Sequence, residues 1–309
     1  MNKAFVLGAG LGTRLRPLTE QLPKPLIPVM HRPLIEYAFD HLRAAEIKEF
    51  IVNTHHLPEK YAAVFPSGRY CDTPITFRHE PILLETAGGI ANIADLVRDE
   101  PFLVYNGDIL TTLPLAPLLR AHAESGNLVT LVLRSTGAAR HIAFDAASGK
   151  ITDIRNRLGT GNPGAFQFTG IYAVNPEFLA HLTPGKIESV IPIFLRLISE
   201  GQRIGGVVID DGDWWDLGDR ETYLNAHAAL LASGPKGTVK PIAADAVIAP
   251  DVKLEGWNVV SSGAVVEKDS RLEECLLWPG SRVAEGSHLR RCIVRSGMTA
   301  QGDLENADI

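Results

Sequence analysis

The sequence predicts an α/β protein with a Rossmann-like mixed, mainly parallel sheet flanked by helices, followed by a short left-handed hexapeptide β-helix. Three observations support this prediction: strands that are apolar throughout, helices between those strands, and a six-residue aliphatic period towards the C-terminus. Uniformly apolar strands separated by helices are typical of parallel sheets that are covered on both faces. We therefore expect one large α/β domain and one smaller repeat domain in the 309 residues.

Before residue 235 the chain alternates between strand-like and helix-like segments. Short aliphatic or β-branched runs predict the strands Ala4–Leu7, Glu49–Asn53, Ile75–Arg78, Phe102–Tyr105, Leu128–Leu133 and Ile204–Ile209. Apolar residues at helical spacing predict the helices Leu34–Ala45, Gly89–Leu96, Ala116–Glu124, Ser189–Glu200 and Glu221–Leu231. The stretch 142–173 contains strand-like runs and glycines, which indicate an antiparallel insertion.

After residue 237 the pattern changes to a six-residue period. Aliphatic residues recur at this spacing and resume after a one-residue slip, at Ile242, Ile248, Leu254, Val260, Val266, Leu272, Leu277, Val283 and Leu289. This period is typical of a hexapeptide β-helix, in which each aliphatic residue points into a triangular core, whereas strands of a sandwich alternate by two. We expect domains at 1–232 and 242–309, joined by a linker at 233–241.

The composition excludes several classes of protein. Apolar residues make up 45% and charged residues 21%, as in ordinary globular domains, and 30 basic against 36 acidic residues give a net charge of −6. There is no lysine-rich run, so we expect neither a nucleic-acid groove nor a polybasic membrane anchor. No apolar run approaches the ~20 residues that span a bilayer. The three scattered cysteines suit a reducing compartment, so we expect a soluble, cytoplasmic protein.

The strongest local signal is a glycine-rich run directly after the first predicted strand. The run reads Leu7, Gly8, Ala9, Gly10, Leu11, Gly12, Thr13 and Arg14. Glycines at such a turn allow backbone N–H groups to converge on phosphate oxygens. The run is not the dinucleotide fingerprint, because Thr13 stands where the third glycine would fall, and it is not a Walker loop, because no Gly-Lys-Ser/Thr follows. Arg14 and Lys24 add positive charge, so we expect a phosphate site of another kind.

This stretch resembles the signature of the sugar-1-phosphate nucleotidyltransferases, also called nucleotide-sugar pyrophosphorylases. The family pattern G-x-G-T-R-L-x-P-L-T matches residues 10–19, and P-K-P-L-x-P-V matches residues 23–29. The resemblance continues through Asn-Gly-Asp at 106–108, Phe-Thr-Gly-Ile-Tyr at 168–172 and Trp-Trp-Asp-Leu-Gly at 214–218. It implies a nucleotidyltransferase fold for residues 1–232, and some branches of the family also carry a hexapeptide β-helix.

The resemblance implies attack of a sugar 1-phosphate on the α-phosphorus of a nucleoside triphosphate, with release of pyrophosphate. The nucleophile is already an anion, so the chemistry needs cations and positioning rather than a strong base. Arg14 is implied to stabilise the departing pyrophosphate, and Lys24 to bridge the α-phosphate and the sugar phosphate.

Asp108 and Asp216 match the metal carboxylates of the family, and hard oxygen ligands of this kind suit Mg²⁺. Three neighbouring aspartates compete with Asp216 on sequence alone, namely Asp210, Asp211 and Asp213. The Trp-x-Asp-x-Gly pattern selects Asp216, and Asp219 then suits the cap of the helix that begins near Arg220.

The base and sugar pockets show two departures from the family. Residues 84–89 resemble its base-reading loop Leu-Gly-Thr-Ala-Gly, with Glu85 in place of the first glycine. This variant resembles muramate-1-phosphate uridylyltransferases, whereas the attached β-helix resembles mannose-1-phosphate guanylyltransferases. GTP with mannose-type and UTP with amino-sugar-type substrates therefore both stay open. Arg155 and Arg157 lie where the family has a Glu-Lys-Pro motif, whose lysine usually binds the sugar phosphate. Either arginine could take over this role.

Taken together, these matches define the expected binding residues. The nucleotide is expected at Leu7, Gly8, Ala9, Gly10, Gly12, Thr13, Glu85, Thr86, Gly88 and Gly107. The sugar phosphate is expected at Arg155, Arg157, Thr169 and Gly170.

Three other hypotheses concern the function of the chain and the role of the β-helix. The chain could be a catalytically silent nucleotide-sugar-binding paralogue that regulates a partner, although it has all four charged residues of the signature. An acyltransferase reading of the β-helix with His288 as the base is weak, because the tract supplies only about three coils. The exposed end of stacked repeats needs covering, which suits packing on the catalytic domain or a homodimer through the β-helix.

Overall fold

The computed structural model describes residues 1–233 and 240–309, and the chain forms two compact units. The first unit contains Met1–Leu11 and Ile35–Trp215, and the second contains Gly12–Leu34 and Asp216–Ile309. Residues 12–34 thus belong to the same unit as the C-terminal residues. The domain boundaries at 232 and 242 stay a prediction, and residues 234–239 of the expected linker lie outside the described residues.

A ten-stranded mixed sheet is the centre of the first unit. Its strands in spatial order are Arg140–Asp145, Lys150–Ile154, Ile204–Val208, Val129–Arg134, Phe166–Val174, Phe102–Asn106, Lys3–Leu7, Glu49–Thr54, Thr73–His79 and Arg69–Tyr70. Lys3–Leu7 pairs in parallel with both neighbours, whereas Phe166–Val174 is antiparallel to both of its own. The antiparallel share is larger than the sequence predicts, because Phe166–Val174 enters the middle of the sheet while Arg140–Asp145 and Lys150–Ile154 lie at one edge.

Helices and a buried apolar core cover this sheet. The helical segments of the first unit are Leu34–Ala44, Pro58–Val64, Glu85–Asn92, Ala94–Val97, Ala116–Ser125, Pro176–His181 and Val190–Ser199. The predicted helix Gly89–Leu96 is therefore wrong as a single element: it begins earlier and is interrupted at Ile93. Phe5, Val104 and Phe194 are fully buried in the shared core. Among the described helices, none combines the length and apolar character needed to span a bilayer.

The second unit begins with short elements and continues with a longer helix. Residues 12–34 form the turns Thr13–Leu15 and Lys24–Leu26, the helix Leu18–Gln21 and the strand pair Pro28–Val29 and Arg32–Pro33. After the strand Trp214–Asp216 the chain enters the helix Arg220–Ser233. The carboxylate of Asp219 accepts a hydrogen bond from Thr222 N at 2.9 Å, so the predicted cap is confirmed.

Residues 242–309 form parallel strands that stack in three sheets, which we call the strand stack. The sheets are Val247–Ile248, Val265–Val266, Arg282–Val283 and Thr299–Ala300; Lys253–Glu255, Arg271–Glu273, His288–Arg290 and Asp303–Glu305; and Val259–Val260, Leu276–Leu277 and Ile293–Val294. In register, Leu272 lies between Leu254 and Leu289. The periodic residues from Val260 onwards are buried together, whereas Ile242 and Leu254 are 37% exposed. Stacked parallel strands with an aliphatic core are consistent with a β-helix.

Candidate active site

The glycine-rich run begins where the strand Lys3–Leu7 ends, and its first glycine is tightly enclosed. Gly8 N donates to the Asn53 side-chain oxygen at 2.8 Å, and the Tyr61 hydroxyl donates to Gly8 O at 2.9 Å. A Cβ on Gly8 would lie 2.7 Å from Asn53 O, whereas one on Gly10 would meet nothing within 4 Å. Gly8 therefore shapes the turn, while Gly10 leaves its surface open, as a ligand-facing backbone requires.

We expect Gly8→Ala to lower the free energy of unfolding by about 2 kcal/mol, since neither backbone can retreat from the clash without breaking strand pairing. Denaturant unfolding measures this change. Gly10→Ala is the matched control in the same run, and it should unfold like the wild type. Equal stability of both variants would contradict the enclosed geometry of Gly8.

Two buried polar residues connect this turn to the loop at 84–89. Asn53 donates through Nδ2 to Glu80 Oε1 at 2.8 Å, and Glu80 Oε2 accepts from Leu84 N at 3.0 Å. Both side chains are almost fully buried, Asn53 at 2% and Glu80 at 0% exposure. This pair was not predicted from the sequence. The available signal was a polar residue at the end of a buried parallel strand, where α/β sheets place their ligand crevice.

The loop at 84–89 explains one departure from the family pattern. Glu85 has a φ of 58°, in the left-handed region that favours glycine. The Thr86 hydroxyl accepts from Val190 N at 2.8 Å, and a Cβ on Gly88 would lie 2.3 Å from Lys186 O. Thr86 and Gly88 thus attach the loop to the start of the helix Val190–Ser199, and Glu85 occupies a position suited to the family's glycine.

We expect Glu85→Gly to raise the free energy of unfolding by ~0.5–1 kcal/mol, because glycine adopts this backbone conformation without the penalty that a side chain brings. The control is Glu124→Gly at an exposed site in the helix Ala116–Ser125, where glycine should be destabilising by ~1 kcal/mol. Thermal unfolding of both variants tests the argument. A destabilised Glu85→Gly protein would contradict it.

The strand end that carries Asp108 lies beside two other predicted segments. Gly107 N donates to Leu7 O at 3.0 Å, so the Asn-Gly-Asp turn is joined to the first strand. A Cβ on Gly170, which has a φ of 83°, would lie 2.6 Å from the Asn106 side chain. The Trp214 indole donates to Thr169 O at 2.9 Å. The first unit thus brings together Leu7, Gly107, Thr169 and Gly170. Asp108 follows Gly107 in the sequence and is half-buried.

Arg155 and Arg157 lie on a separate loop of the same unit, and both are exposed. The fully buried carboxylate of Asp153 organises this loop by accepting hydrogen bonds from Leu158 N at 3.1 Å and the Thr160 hydroxyl at 2.9 Å. Arg155 has a φ of 57° as the chain turns. The loop geometry is therefore fixed at its base by Asp153, and its two guanidinium groups face solvent.

In the second unit, Gly12 allows the run to approach Lys24. Gly12 has a φ of 60°, and a Cβ there would lie 2.8 Å from Thr19 Cγ2 and 3.2 Å from Lys24 Cβ. The Thr19 hydroxyl donates to Gly12 O at 3.0 Å. Thr13 follows in an exposed turn. Gly12 is thus required both for its left-handed backbone and for close packing.

Lys24 and Asp216 form an ion pair in this unit. Lys24 is only 6% exposed, and its Nζ lies 3.5 Å from Asp216 Oδ1, whose side chain is 46% exposed. The guanidinium of Arg14 lies against Gly218, where a Cβ would be 2.8 Å from Arg14 Nη2. Hydrogen bonds from Thr222, together with the charge of Arg14, hold the pKa of Asp219 below its usual range. Three of the four charged signature residues therefore occur in this unit.

Comparison with known proteins gives the family. A family model described as Nucleotidyl transferase matches residues 3–233. The chain belongs to this family. It is 32% identical over 304 residues to a mannose-1-phosphate guanylyltransferase of Mycobacterium tuberculosis, covering 93% of this chain and 83% of that protein. It is 27% identical to a UTP–glucose-1-phosphate uridylyltransferase of Synechocystis, over 77% of this chain and 66% of that protein.

A solved structure from Bacillus anthracis, described as a candidate glucose-1-phosphate thymidylyltransferase, has the same fold with a TM-score of 0.65. It is 21% identical and covers 76% of this chain and 97% of its own. The sequence-based resemblance to sugar-1-phosphate nucleotidyltransferases is thus confirmed, and the chain is an enzyme of the nucleotidyltransferase class.

Two of the three aspartates that compete with Asp216 in this nucleotidyltransferase, Asp210 and Asp213, have structural partners. Asp210 accepts from Ser135 N at 2.8 Å and from the Ser135 hydroxyl at 2.7 Å, and these bonds lower its pKa. The backbone of Asp213 accepts from Thr112 N at 3.0 Å. These contacts hold the loop before the strand Trp214–Asp216.

Asp108 and Asp216 each carry the hard carboxylate oxygens that Mg²⁺ prefers as ligands. Within residues 1–233 and 240–309 no group of three or more His, Cys, Asp or Glu side chains could hold a metal ion by itself. Mg²⁺ commonly takes one or two carboxylates and completes its shell with phosphates and water. Asp108 lies in the first unit and Asp216 in the second, and each has a carboxylate of the kind that this mode of binding uses.

A buried histidine makes the stability of the nucleotidyltransferase sensitive to acid. His227 Nδ1 donates to Tyr223 O at 2.8 Å, and Nε2 accepts from Met30 N at 3.0 Å, so these partners select the neutral ring. Burial lowers the pKa of His227 from 6.5 to about 4. A proton on Nε2 would turn this acceptor into a donor that faces the Met30 N–H donor, so the hydrogen bond would be lost.

Between pH 6.5 and 4 the unfolded chain binds a proton at His227 that the folded chain does not, so stability falls as the pH falls. We expect a loss of about 2 kcal/mol between pH 7 and pH 5 from this residue. His227→Gln keeps an acceptor for Met30 N, and it should remove the part of the pH dependence of the unfolding free energy that comes from His227. Urea unfolding at both pH values measures the difference, and an unchanged slope in the variant would contradict the assignment.

Proposed function

We propose that the enzyme joins GTP and a mannose-type sugar 1-phosphate to form a nucleoside diphosphate sugar and pyrophosphate. The single observation that carries this proposal is the buried Lys24 beside Asp216, on a segment where Gly12 packs against the lysine. A buried cation in a fixed position stabilises developing phosphate charge better than a mobile surface lysine, because it needs no reorganisation during the reaction.

Each signature residue has a role in this reaction. Lys24 binds the α-phosphate and the sugar phosphate and reduces the repulsion between them. Arg14 binds the departing pyrophosphate with its guanidinium fork. The backbone at Gly8, Ala9, Gly10, Gly12 and Thr13 presents N–H groups to the triphosphate. The sugar phosphate oxygen attacks in line, and no protein base is required because the nucleophile is ionised.

We propose that Asp108 and Asp216 hold Mg²⁺ together with the substrate phosphates. The bound ion would supply neutralisation of the charge on the α-phosphoryl group and the leaving group. For the remaining substrate contacts we propose Leu7, Glu85, Thr86, Gly88 and Gly107 near the nucleoside. Arg155 or Arg157, with Thr169 and Gly170, would bind the sugar phosphate.

The choice of GTP and mannose rests on how far the relatives match. The guanylyltransferase from Mycobacterium tuberculosis aligns over 93% of this chain, and the uridylyltransferase from Synechocystis over 77%. The longer match favours the guanylyl assignment. Glu85 favours the second candidate, UTP with an amino-sugar 1-phosphate, because it departs from the glycine of the common base-reading loop.

A pyrophosphate-release screen tests the substrate proposal. GTP, UTP, dTTP, ATP and CTP are each combined with hexose, amino-sugar and heptose 1-phosphates. We expect GTP with mannose 1-phosphate to give the highest kcat/KM. A clear preference for UTP with an amino sugar would replace this substrate pair with the second candidate.

Three structural expectations remain as part of this proposal. We propose that the strand stack is a left-handed hexapeptide β-helix, that the catalytic domain ends near residue 232, and that the strand stack can form a homodimer contact. We also propose that the enzyme works in the cytoplasm, in line with its few, scattered cysteines. Size-exclusion chromatography with light scattering tests the dimer.

A further inference from the structure

The segment that carries Lys24 is made of elements too short to be stable alone. The helix Leu18–Gln21 has four residues, and the turn Lys24–Leu26 has three. Isolated helices below ~12 residues are marginal in water, so this segment must be held by contacts from elsewhere. Within the second unit, those contacts come from the helix Arg220–Ser233 and from the strand stack.

The strand stack binds the segment on the N-terminal side of Lys24. Gln21 Nε2 donates to Ser296 O at 2.7 Å, and Ser296 N donates to Gln21 Oε1 at 3.1 Å. This reciprocal pair uses both the nitrogen and the oxygen of one side-chain amide. It therefore fixes the orientation of the Gln21 side chain as well as its distance from Ser296. Arg295 Nη1 also donates to Pro17 O at 3.3 Å. The last turn before Lys24 is thus attached to the strand stack at two residues.

A second connection reaches the segment on the C-terminal side of Lys24. The Trp278 indole donates to the Tyr223 hydroxyl at 3.1 Å, and that hydroxyl donates to Pro28 O. Trp278 and Tyr223 are fully buried, at 1% and 0% exposure. Hydrogen bonds between buried groups are costly to break without replacement, so this connection is rigid. Lys24 therefore lies between two anchoring points, both dependent on the strand stack.

We propose that the strand stack is a positioning element of the transfer reaction, which it serves by holding residues 17–28 so that the Lys24 ammonium stays at its working place beside Asp216. This inference rests on the proposed function of Lys24. Gln21, within the segment, and Trp278, in the strand stack, are positioning residues in this proposal, since they act on Lys24 through the segment. A displacement of about 1 Å of a catalytic group can reduce the rate of a reaction by about a hundred-fold.

The test compares Gln21→Ala and Trp278→Phe with matched controls. Gln21→Ala removes the reciprocal pair, and Trp278→Phe removes one N–H while keeping most of the ring. The controls are Glu20→Ala, at the exposed neighbour of Gln21, and Trp257→Phe, at the other tryptophan of the strand stack. Pyrophosphate release gives kcat and KM, and hydrogen–deuterium exchange of peptides from residues 13–34 reports how firmly the segment is held.

We expect each positioning variant to lose about ten-fold or more in kcat, with KM for the triphosphate changed less than three-fold and with faster exchange in residues 13–34. The controls should match the wild type in both measurements. Gln21→Ala keeps the inference testable if Trp278→Phe fails to fold.

Wild-type kcat in a folded Gln21→Ala protein would overturn the positioning role while leaving the proposed function intact. A lower kcat together with a KM for the triphosphate changed more than three-fold, and no change in hydrogen exchange of residues 13–34, would also overturn the positioning role. A wild-type enzyme that releases no pyrophosphate with any substrate pair would instead remove the proposed function itself.

Discussion

Replacing Lys24 with glutamine is expected to lower kcat by about 10²–10³, which corresponds to ~3–4 kcal/mol of lost transition-state stabilisation. Lys24 is buried, and its ammonium lies 3.5 Å from Asp216 Oδ1. Its charge acts at low effective dielectric, so water cannot replace it when it is removed. Glutamine has a similar length and removes the charge. Steady-state pyrophosphate release at saturating substrates measures the effect.

Lys253→Gln is the matched control, because Lys253 is an exposed lysine of the same unit. It should keep wild-type turnover. Both variants need to show wild-type thermal unfolding before rates are compared. A Lys24→Gln enzyme within a factor of three of wild-type kcat would mean that Lys24 has only a packing role.

Replacing Asp216 or Asp108 with asparagine is expected to reduce kcat by about a thousand-fold or more at millimolar Mg²⁺. In the proposed site, each substitution removes a charged oxygen ligand from the ion that neutralises the phosphates. Asparagine preserves shape, so folding should be unchanged. Asp216→Asn also removes the ion-pair partner of Lys24. The effect on Mg²⁺ binding can be separated from the effect on the ion pair. Weaker Mg²⁺ binding raises the Mg²⁺ concentration needed for the half-maximal rate, whereas loss of the ion pair alone does not.

Asp211→Asn is the control for this experiment, since Asp211 is an exposed aspartate of the same acidic stretch. It should show the wild-type Mg²⁺ dependence. If Asp108→Asn or Asp216→Asn kept the wild-type rate at limiting Mg²⁺, the metal role of that residue would be wrong.

The sequence predicted most of the sheet and the local signature, because both depend on patterns within short stretches. The alternation of apolar strands and helices marked Lys3–Leu7 and Phe102–Asn106 to within a residue or two. The glycine pattern marked Gly8 and Gly12, whose enclosed positions the structure explains. The aliphatic period marked the buried face of the strand stack from Val260 onwards.

The remaining features depend on contacts between distant residues, which local patterns do not encode. Gln21 and Ser296 are 275 positions apart, and nothing in either neighbourhood indicates their pairing. The same long-range contacts explain why residues 12–34 share a unit with the C-terminal residues, although the periodicity changes only near residue 237. Asn53 could be noticed as a polar residue at a strand end, but its pairing with Glu80, 27 positions away, has no local signal.

We propose that this enzyme transfers a nucleotidyl group through attack on the α-phosphorus, and GTP labelled at different phosphates shows which phosphorus is attacked. Reactions with mannose 1-phosphate and Mg²⁺ are run in parallel with GTP labelled at the α- or the γ-phosphate. We predict that the α-label appears in a nucleoside diphosphate sugar and the γ-label in pyrophosphate. Tight binding of nucleotide with no label transfer to any sugar phosphate of the screen, from GTP or from UTP, would rule out nucleotidyl transfer to these sugar phosphates.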